Sequence, residues 1–163
     1  MTPRSLYVLL AAAGSAALLL AALGAQYLAG IRPCELCTLQ RLPHLTAVVI
    51  GIGALALGGR LLPALGALAA ATTAAIGAYH TGVQRGFWAG PDACTGDAAG
   101  LSGLSGAALL DPAAAPGVVL CDQVAWSLFG LSIPSWNALA SAVLVLIWLA
   151  ALRAPGRTQL RLR

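Results

Sequence analysis

The chain has no lysine, and among its 163 residues there are only five acids, Glu35, Asp92, Asp97, Asp111 and Asp122. Charged side chains make up 9% of it, against about 25% in soluble globular chains. With 60% hydrophobic residues and a mean hydropathy of +0.87, it cannot cover a water-facing surface, and a membrane protein is the class that fits. The net charge of +4 comes from arginine alone. No basic stripe interleaves with aromatics, so this charge carries topology rather than a nucleic-acid footprint, and no nucleic-acid partner is expected. A phosphate-binding glycine loop, an internal repeat and a Ser/His/Asp spacing are all missing. Nothing marks a second domain, and residues 1–163 read as one membrane domain.

What the sequence does have is long uncharged runs, at 5–31, 42–59, 61–84 and 123–152. A span needs about 20 apolar residues. The runs predict an all-α, four-transmembrane-helix bundle with spans at about 6–29, 38–58, 61–83 and 135–152. The spans are rich in Ala and Gly, which lets backbones approach closely in lipid. The first run is too long for the core of a cleaved leader, which is typically about 7–15 residues, so it is expected as a retained span. "GGR" at 58–60 predicts a tight turn. Pro134 and Ser135 predict the start of the last helix.

Four spans put Arg4, Arg60, Arg153, Arg157, Arg161 and Arg163 on one side of the bilayer. Arg32, Arg41, Arg85 and all five acids fall on the other. The positive-inside rule then predicts both termini cytoplasmic. All four cysteines, Cys34, Cys37, Cys94 and Cys121, fall on the outer side, where disulfides persist.

Cys34 and Cys37 form a Cys-x-x-Cys within "RPCELCTLQR" (32–41). A close pair near a helix start and a cation tends to have a depressed thiol pKa, and the thiolate is the nucleophile of disulfide exchange. If helix geometry already holds at Cys37, Arg41 stands at i+4 on the same face. Its permanent charge could stabilise a Cys37 thiolate or negative charge developing on a bound acceptor. Pro43 leaves two possibilities: a helix kinked there, or one starting near it with the Cys-x-x-Cys on a preceding turn. A zinc site is disfavoured because the other two cysteines are single and far apart, so no metal is expected. A structural staple is disfavoured because the ring would be too short to restrain much chain.

Cys94 and Cys121 lie in a Gly/Ala/Ser/Pro/Asp-rich loop, about 85–134. They could staple that loop, or face a protein partner and pass oxidising equivalents from the Cys-x-x-Cys. Trp126, Phe129 and Trp136 lie among apolar residues, and Trp favours the membrane–water interface. They predict a short interfacial helix over 118–131 that holds Cys121 near the Cys-x-x-Cys. His44 is expected at the interface, with contact to a bound acceptor as the less favoured alternative. His80 is either a headgroup-level polar residue or an acceptor-side donor.

"RPCELCTLQR" resembles the Cys-x-x-Cys-x-x-x-Arg signature of the DsbB family, bacterial disulfide-bond formation proteins. "GAYHTGVQRGFW" (77–88), then Cys94, Cys121 and "FGLSIPSWN" (129–137), continue the match in order. The resemblance implies an inner-membrane thiol:quinone oxidoreductase. A reduced, DsbA-like periplasmic thioredoxin-fold partner would attack a Cys94–Cys121 disulfide, with Cys94 forming the mixed disulfide. Electrons would pass to Cys34–Cys37, and from Cys37 to a membrane quinone, ubiquinone or menaquinone, beside the second helix. Arg41 and His80 match residues at the quinone. Gln40 stands where the best-known member has a glutamate; it can donate and accept hydrogen bonds but cannot ionise. Two other readings compete: a membrane scaffold with static disulfides, and a metal carrier using the cysteines with His80.

Overall fold

The computed structural model describes residues 1–91 and 120–156. Four helices in it are long and apolar enough to cross a membrane. Helix α1 is Pro3–Tyr27. A short α2, Glu35–Leu39, leads into α3, Arg41–Leu57, and the two together make the second membrane-length segment. Helix α4 is Leu61–Gln84 and α5 is Ile133–Arg153. The chain is a four-helix membrane protein, as its uncharged runs predicted.

Local chemistry explains the helix ends. Thr2 caps α1: its hydroxyl accepts from the Ser5 N–H at 3.1 Å, the Ser5 hydroxyl accepts from the Thr2 N–H at 2.8 Å, and Pro3 opens the first turn. Gly58 and Gly59, both at positive φ, make the turn from α3 to α4. The break between α2 and α3 falls at Gln40. Pro43 has no N–H to offer the Leu39 carbonyl four residues back, and its ring crowds that carbonyl. Both possibilities raised by Pro43 are thus partly right: one helical turn carries the Cys-x-x-Cys, and a second helix starts just before the proline.

Helices α1 and α4 each pack against both α3 and α5, which closes a ring of four. The core draws on all of them: Val8 and Ala11 from α1, Ala54 from α3, Ala67 and Ala70 from α4, and Leu144, Trp148 and Ala151 from α5. Small residues set the spacing. A Cβ on Gly66 would lie 2.6 Å from the Trp148 ring, and one on Gly77 would lie 3.0 Å from the Pro134 carbonyl oxygen. Leucines, with Val49, Ile52 and Val143, line the outside of the bundle, as a lipid-facing surface requires.

The segment 120–131 corrects a sequence expectation. It is turn and hairpin, not part of a short interfacial helix over 118–131. Strand β1, Ser127–Leu128, pairs antiparallel with β2, Leu131–Ser132. Phe129 (φ 51°) and Gly130 (φ 75°) form the two-residue turn. Two consecutive positive φ values are the pattern of a type I′ hairpin turn, and a helix excludes them. The Trp136 indole N–H donates to the Leu128 carbonyl at 3.2 Å and ties the hairpin to α5.

Two polar attachments mark opposite ends of the bundle. Arg4 donates to the Ala151 and Ala154 carbonyls, and Arg60 to that of Leu152, which gathers the start of α1, the 58–60 turn and the end of α5. The Cys-x-x-Cys, the end of α4 and the 120–132 segment meet at the other end.

Candidate functional site

Cys34 is the N-cap of α2, and Cys37 lies in its first turn. Both are free thiols, with their sulfurs 3.2 Å apart. Cys34 is buried and Cys37 half-buried. The N-cap position gives the Cys34 sulfur the Cys37 backbone N–H at 3.4 Å, and His80 Nε2 lies at 3.5 Å. The Cys37 thiol and these two donors pull the Cys34 thiol down to about 4, against the desolvation of burial. These contacts favour negative charge on Cys34 in the reduced pair; the sequence had offered a Cys37 thiolate beside Arg41 as one possibility.

His80, from α4, is fully buried. Its Nδ1 is 3.1 Å from Gln40 Nε2 and 4.0 Å from the Cys37 sulfur. Its Nε2 is 3.1 Å from the Cys121 carbonyl oxygen. Cys121 is fully buried and disulfide-bonded, and it packs with Cys34, Leu36 and Val83. The imidazole thus touches both cysteine segments. Cys94 lies outside the described residues.

Gln40, buried at the break between α2 and α3, bonds outward as well. Its Oε1 accepts from Asn137 Nδ2 at 2.7 Å, and Asn137 Oδ1 lies 2.9 Å from His44 Nε2. Thr73 donates to the Gln40 backbone carbonyl at 3.2 Å and accepts from Asn137 at 3.1 Å. His44, expected at the interface, turns its side chain into the bundle. It is 3% exposed, drawn inward by a partner 93 positions away on α5. Sequence reasoning missed Asn137, Thr73 and Gln26, since a single polar residue in an apolar run does not reveal its partner.

Arg41 donates through Nη1 to Gln26 Oε1 of α1 at 2.6 Å, while its buried Nε has no partner among the described residues. Arg41, both thiols, Gln40, His44 and His80 line one side of a cavity of about 650 Å³. The rest of its wall is mainly apolar: Leu18, Leu19 and alanines of α1, with Ala125, Trp126, Leu128 and Phe129 beside the hairpin. A flat apolar ring with polar oxygens suits such a space. The walls would cover the ring, and Arg41 would set a permanent positive charge beside its oxygens. A metal ion suits it less well. The ligand atoms of Cys34, Cys37 and His80 lie within 4.8 Å of one another, but both imidazole nitrogens are engaged, Nδ1 by the Gln40 amide and Nε2 by a carbonyl.

A bundle of membrane-length helices that holds a free vicinal dithiol against a buried imidazole defines a multi-pass membrane protein built for thiol–disulfide chemistry. Its relatives make that class specific. Residues 4–151 match the family model described as "Disulfide bond formation protein DsbB". The chain is similar to the disulfide bond formation protein B of Chromohalobacter salexigens, 36% identical over 80% of each chain. It is also similar to that of Stutzerimonas stutzeri, 30% identical over 90% of this chain and 94% of the other. This chain belongs to the DsbB family of disulfide bond formation proteins. No solved structure matches it.

Proposed function

We propose that this protein re-oxidises a DsbA-like dithiol oxidase in the periplasm and passes the electrons, through two cysteine pairs, to a membrane quinone. The observation that carries this reading is the placement of the dithiol. Both sulfurs lie at the polar side of an apolar-walled cavity large enough for a ring, and the Cys121 segment packs directly against them. A thiol–disulfide relay and a lipid-soluble acceptor would then meet within one exchange distance.

Each residue has a role in this scheme. The Cys94–Cys121 pair receives the partner's thiolate, with Cys94 taking up the mixed disulfide. Cys34 and Cys37 accept the electrons next, and Cys37 hands them on. Arg41 stabilises negative charge at the acceptor end of the cavity, where the low dielectric makes a fixed charge worth more than in water, and His80 beside it steadies the Cys34 thiolate. Ubiquinone or menaquinone, when bound, supplies a sink for two electrons and two protons. The donors that hold Cys34 as a thiolate favour the reduced pair and so make its disulfide more oxidising. A DsbA-type partner requires this. Its potential is about −120 mV, and each 30 mV of shortfall costs about 1.4 kcal/mol for two electrons.

The test combines purified protein, a reduced DsbA-like partner and a short-chain ubiquinone. Quinone is expected to be consumed in step with partner oxidation, with the consumption abolished in Cys37→Ser. Partner oxidation that continues without quinone, or with Cys37 blocked, would refute the scheme. Arg41→Ala is expected to weaken quinone affinity and leave partner binding unchanged.

A further inference from the structure

Carbonyl oxygens only accept hydrogen bonds, and three of them fix the protons around the buried imidazole of His80. The Leu36 carbonyl lies 3.2 Å from the Gln40 side-chain nitrogen, so the amide must turn its NH2 that way. The oxygen side of the amide agrees. Thr73 donates its hydroxyl proton to the Gln40 backbone carbonyl, so Asn137 must present its NH2 to the Thr73 oxygen. That same NH2 meets Gln40 Oε1 at 2.7 Å. Held from both sides, Gln40 Nε2 lies 3.1 Å from His80 Nδ1 and can only donate to it. Nδ1 is therefore the bare nitrogen, and Nε2 carries the hydrogen. The Cys121 carbonyl, 3.1 Å from Nε2, independently requires the same tautomer.

The tautomer matters because of what Nε2 faces. Three donors converge on the Cys34 sulfur: the Cys37 thiol at 3.2 Å, the Cys37 backbone N–H at 3.4 Å and His80 Nε2 at 3.5 Å. The first two belong to the Cys-x-x-Cys turn itself. The third exists in only one of the two neutral tautomers. We propose that Gln40 is a positioning residue that tunes the dithiol: it holds the His80 N–H on the Cys34 sulfur, stabilises the reduced pair and so makes the Cys34–Cys37 disulfide a stronger oxidant. Asn137 and Thr73 keep the Gln40 amide from turning over. An ionised carboxylate at position 40 would accept from His80 and would face the Leu36 carbonyl without a proton, so the geometry needs an amide and not merely a polar side chain. This deepens the reading of the dithiol as an electron relay and rests on it. Reduction breaks the S–S bond with two electrons. One proton goes to the Cys37 sulfur, and the Cys34 sulfur stays anionic under the donors that Gln40 arranges.

The chain has two histidines, so ¹⁵N-histidine labelling of the full-length protein reads both rings without crowding. At mildly alkaline pH both are expected to be neutral with hydrogen on Nε2, since Asn137 Oδ1 faces His44 Nε2 at 2.9 Å. Hydrogen on Nδ1 of either ring overturns the proposal, and this readout needs no variant. The second readout is the redox equilibrium of the quinone-free protein with glutathione. Two glutathione thiols break the Cys34–Cys37 bond and form one glutathione disulfide; one thiol proton goes to Cys37 and the other to solvent. Alkylation and mass spectrometry give the oxidised fraction of each cysteine. Gln40→Met, similar in length but without a donor, is expected to shift the equilibrium about threefold to tenfold toward the Cys34–Cys37 disulfide, the worth of one hydrogen bond. His80→Leu should shift it at least as far, and Gln40→Met added to His80→Leu should shift it no further. An unshifted Gln40→Met, or a full further shift in the double variant, overturns the proposal. Neither readout involves quinone or a partner, so failure here leaves the functional reading standing, and failure of quinone turnover leaves these readouts unchanged.

Discussion

At the scale of single residues, the site depends on how few of its groups can change charge. Gln40 is a fixed dipole, its orientation set by the Leu36 carbonyl, and it holds His80 in one tautomer. Cys34 is the group whose charge state the surroundings move most visibly. Its value lies near 4, far below that of an ordinary thiol, about 8.5. The sign follows directly. A depressed acid stabilises the reduced fold fully above the unfolded thiol's value, and that contribution is lost as pH falls through about 4. Alkylation of the reduced protein, counted per cysteine by mass spectrometry, should keep its rate at Cys34 from neutrality down to about pH 4. His80→Leu, which removes one donor, should move the midpoint upward. A native midpoint in the ordinary thiol range would show that the N-cap geometry does not control the sulfur. The Cys-x-x-Cys and the neighbouring cation were legible in the sequence. Which sulfur carries the charge was not, because it depends on His80, 46 positions away.

At the scale of elements, hydropathy was enough to identify four helices, because lipid imposes one demand on every span. It failed where a segment could meet its needs in two ways. Trp126, Phe129 and Trp136 satisfy an interface as a helix or as a hairpin, and Phe129 at positive φ hides a turn that Asn-Gly would have announced. The helix contacts are more sharply determined. Gly66 and Gly53 are both helical glycines in apolar runs, indistinguishable by sequence. A Cβ on Gly53 would meet Leu62 at an ordinary 3.6 Å, whereas one on Gly66 would lie 2.6 Å from Trp148. Trp148 is fully buried against helices on both sides and cannot retreat. Gly66→Ala should therefore destabilise by about 1–3 kcal/mol through overpacking. Gly53→Ala should be neutral or stabilise by up to about 1 kcal/mol, from helix propensity. Thermal unfolding in detergent compares the two, and equal effects would mean that α4 and α5 are not packed this closely.

At the scale of the whole molecule, the two ends of the bundle are chemically unlike. One end gathers Arg4, Arg60 and the close of α5, with Arg4 and Arg60 held on α5 carbonyls. The other gathers the dithiol, His80 and the buried Cys121. The order of spans along the sequence predicts the same division in charge, with six arginines expected on the first side and three arginines with all five acids on the second. Moving arginine across a bilayer is the costlier translocation, and a dithiol that exchanges with a client needs a compartment where disulfides last. The two requirements are independent and predict the same orientation, one that would put the arginine-rich end in the cytoplasm. A cysteine placed at Gly59, in a chain whose own cysteines are changed to serine, should resist a membrane-impermeant maleimide in intact spheroplasts and react once they are lysed. A cysteine at Gln123, beside the dithiol end, should react in both. Labelling of position 59 in intact spheroplasts would reverse the orientation, put the thiols in a reducing compartment and remove the reason for a quinone-driven oxidase. Replacing Arg4 and Arg60 together by glutamine should leave a minority of chains inverted rather than none. Those two charges are a third of the six arginines that the sequence assigns to that side, and Arg153, Arg157, Arg161 and Arg163 supply the rest.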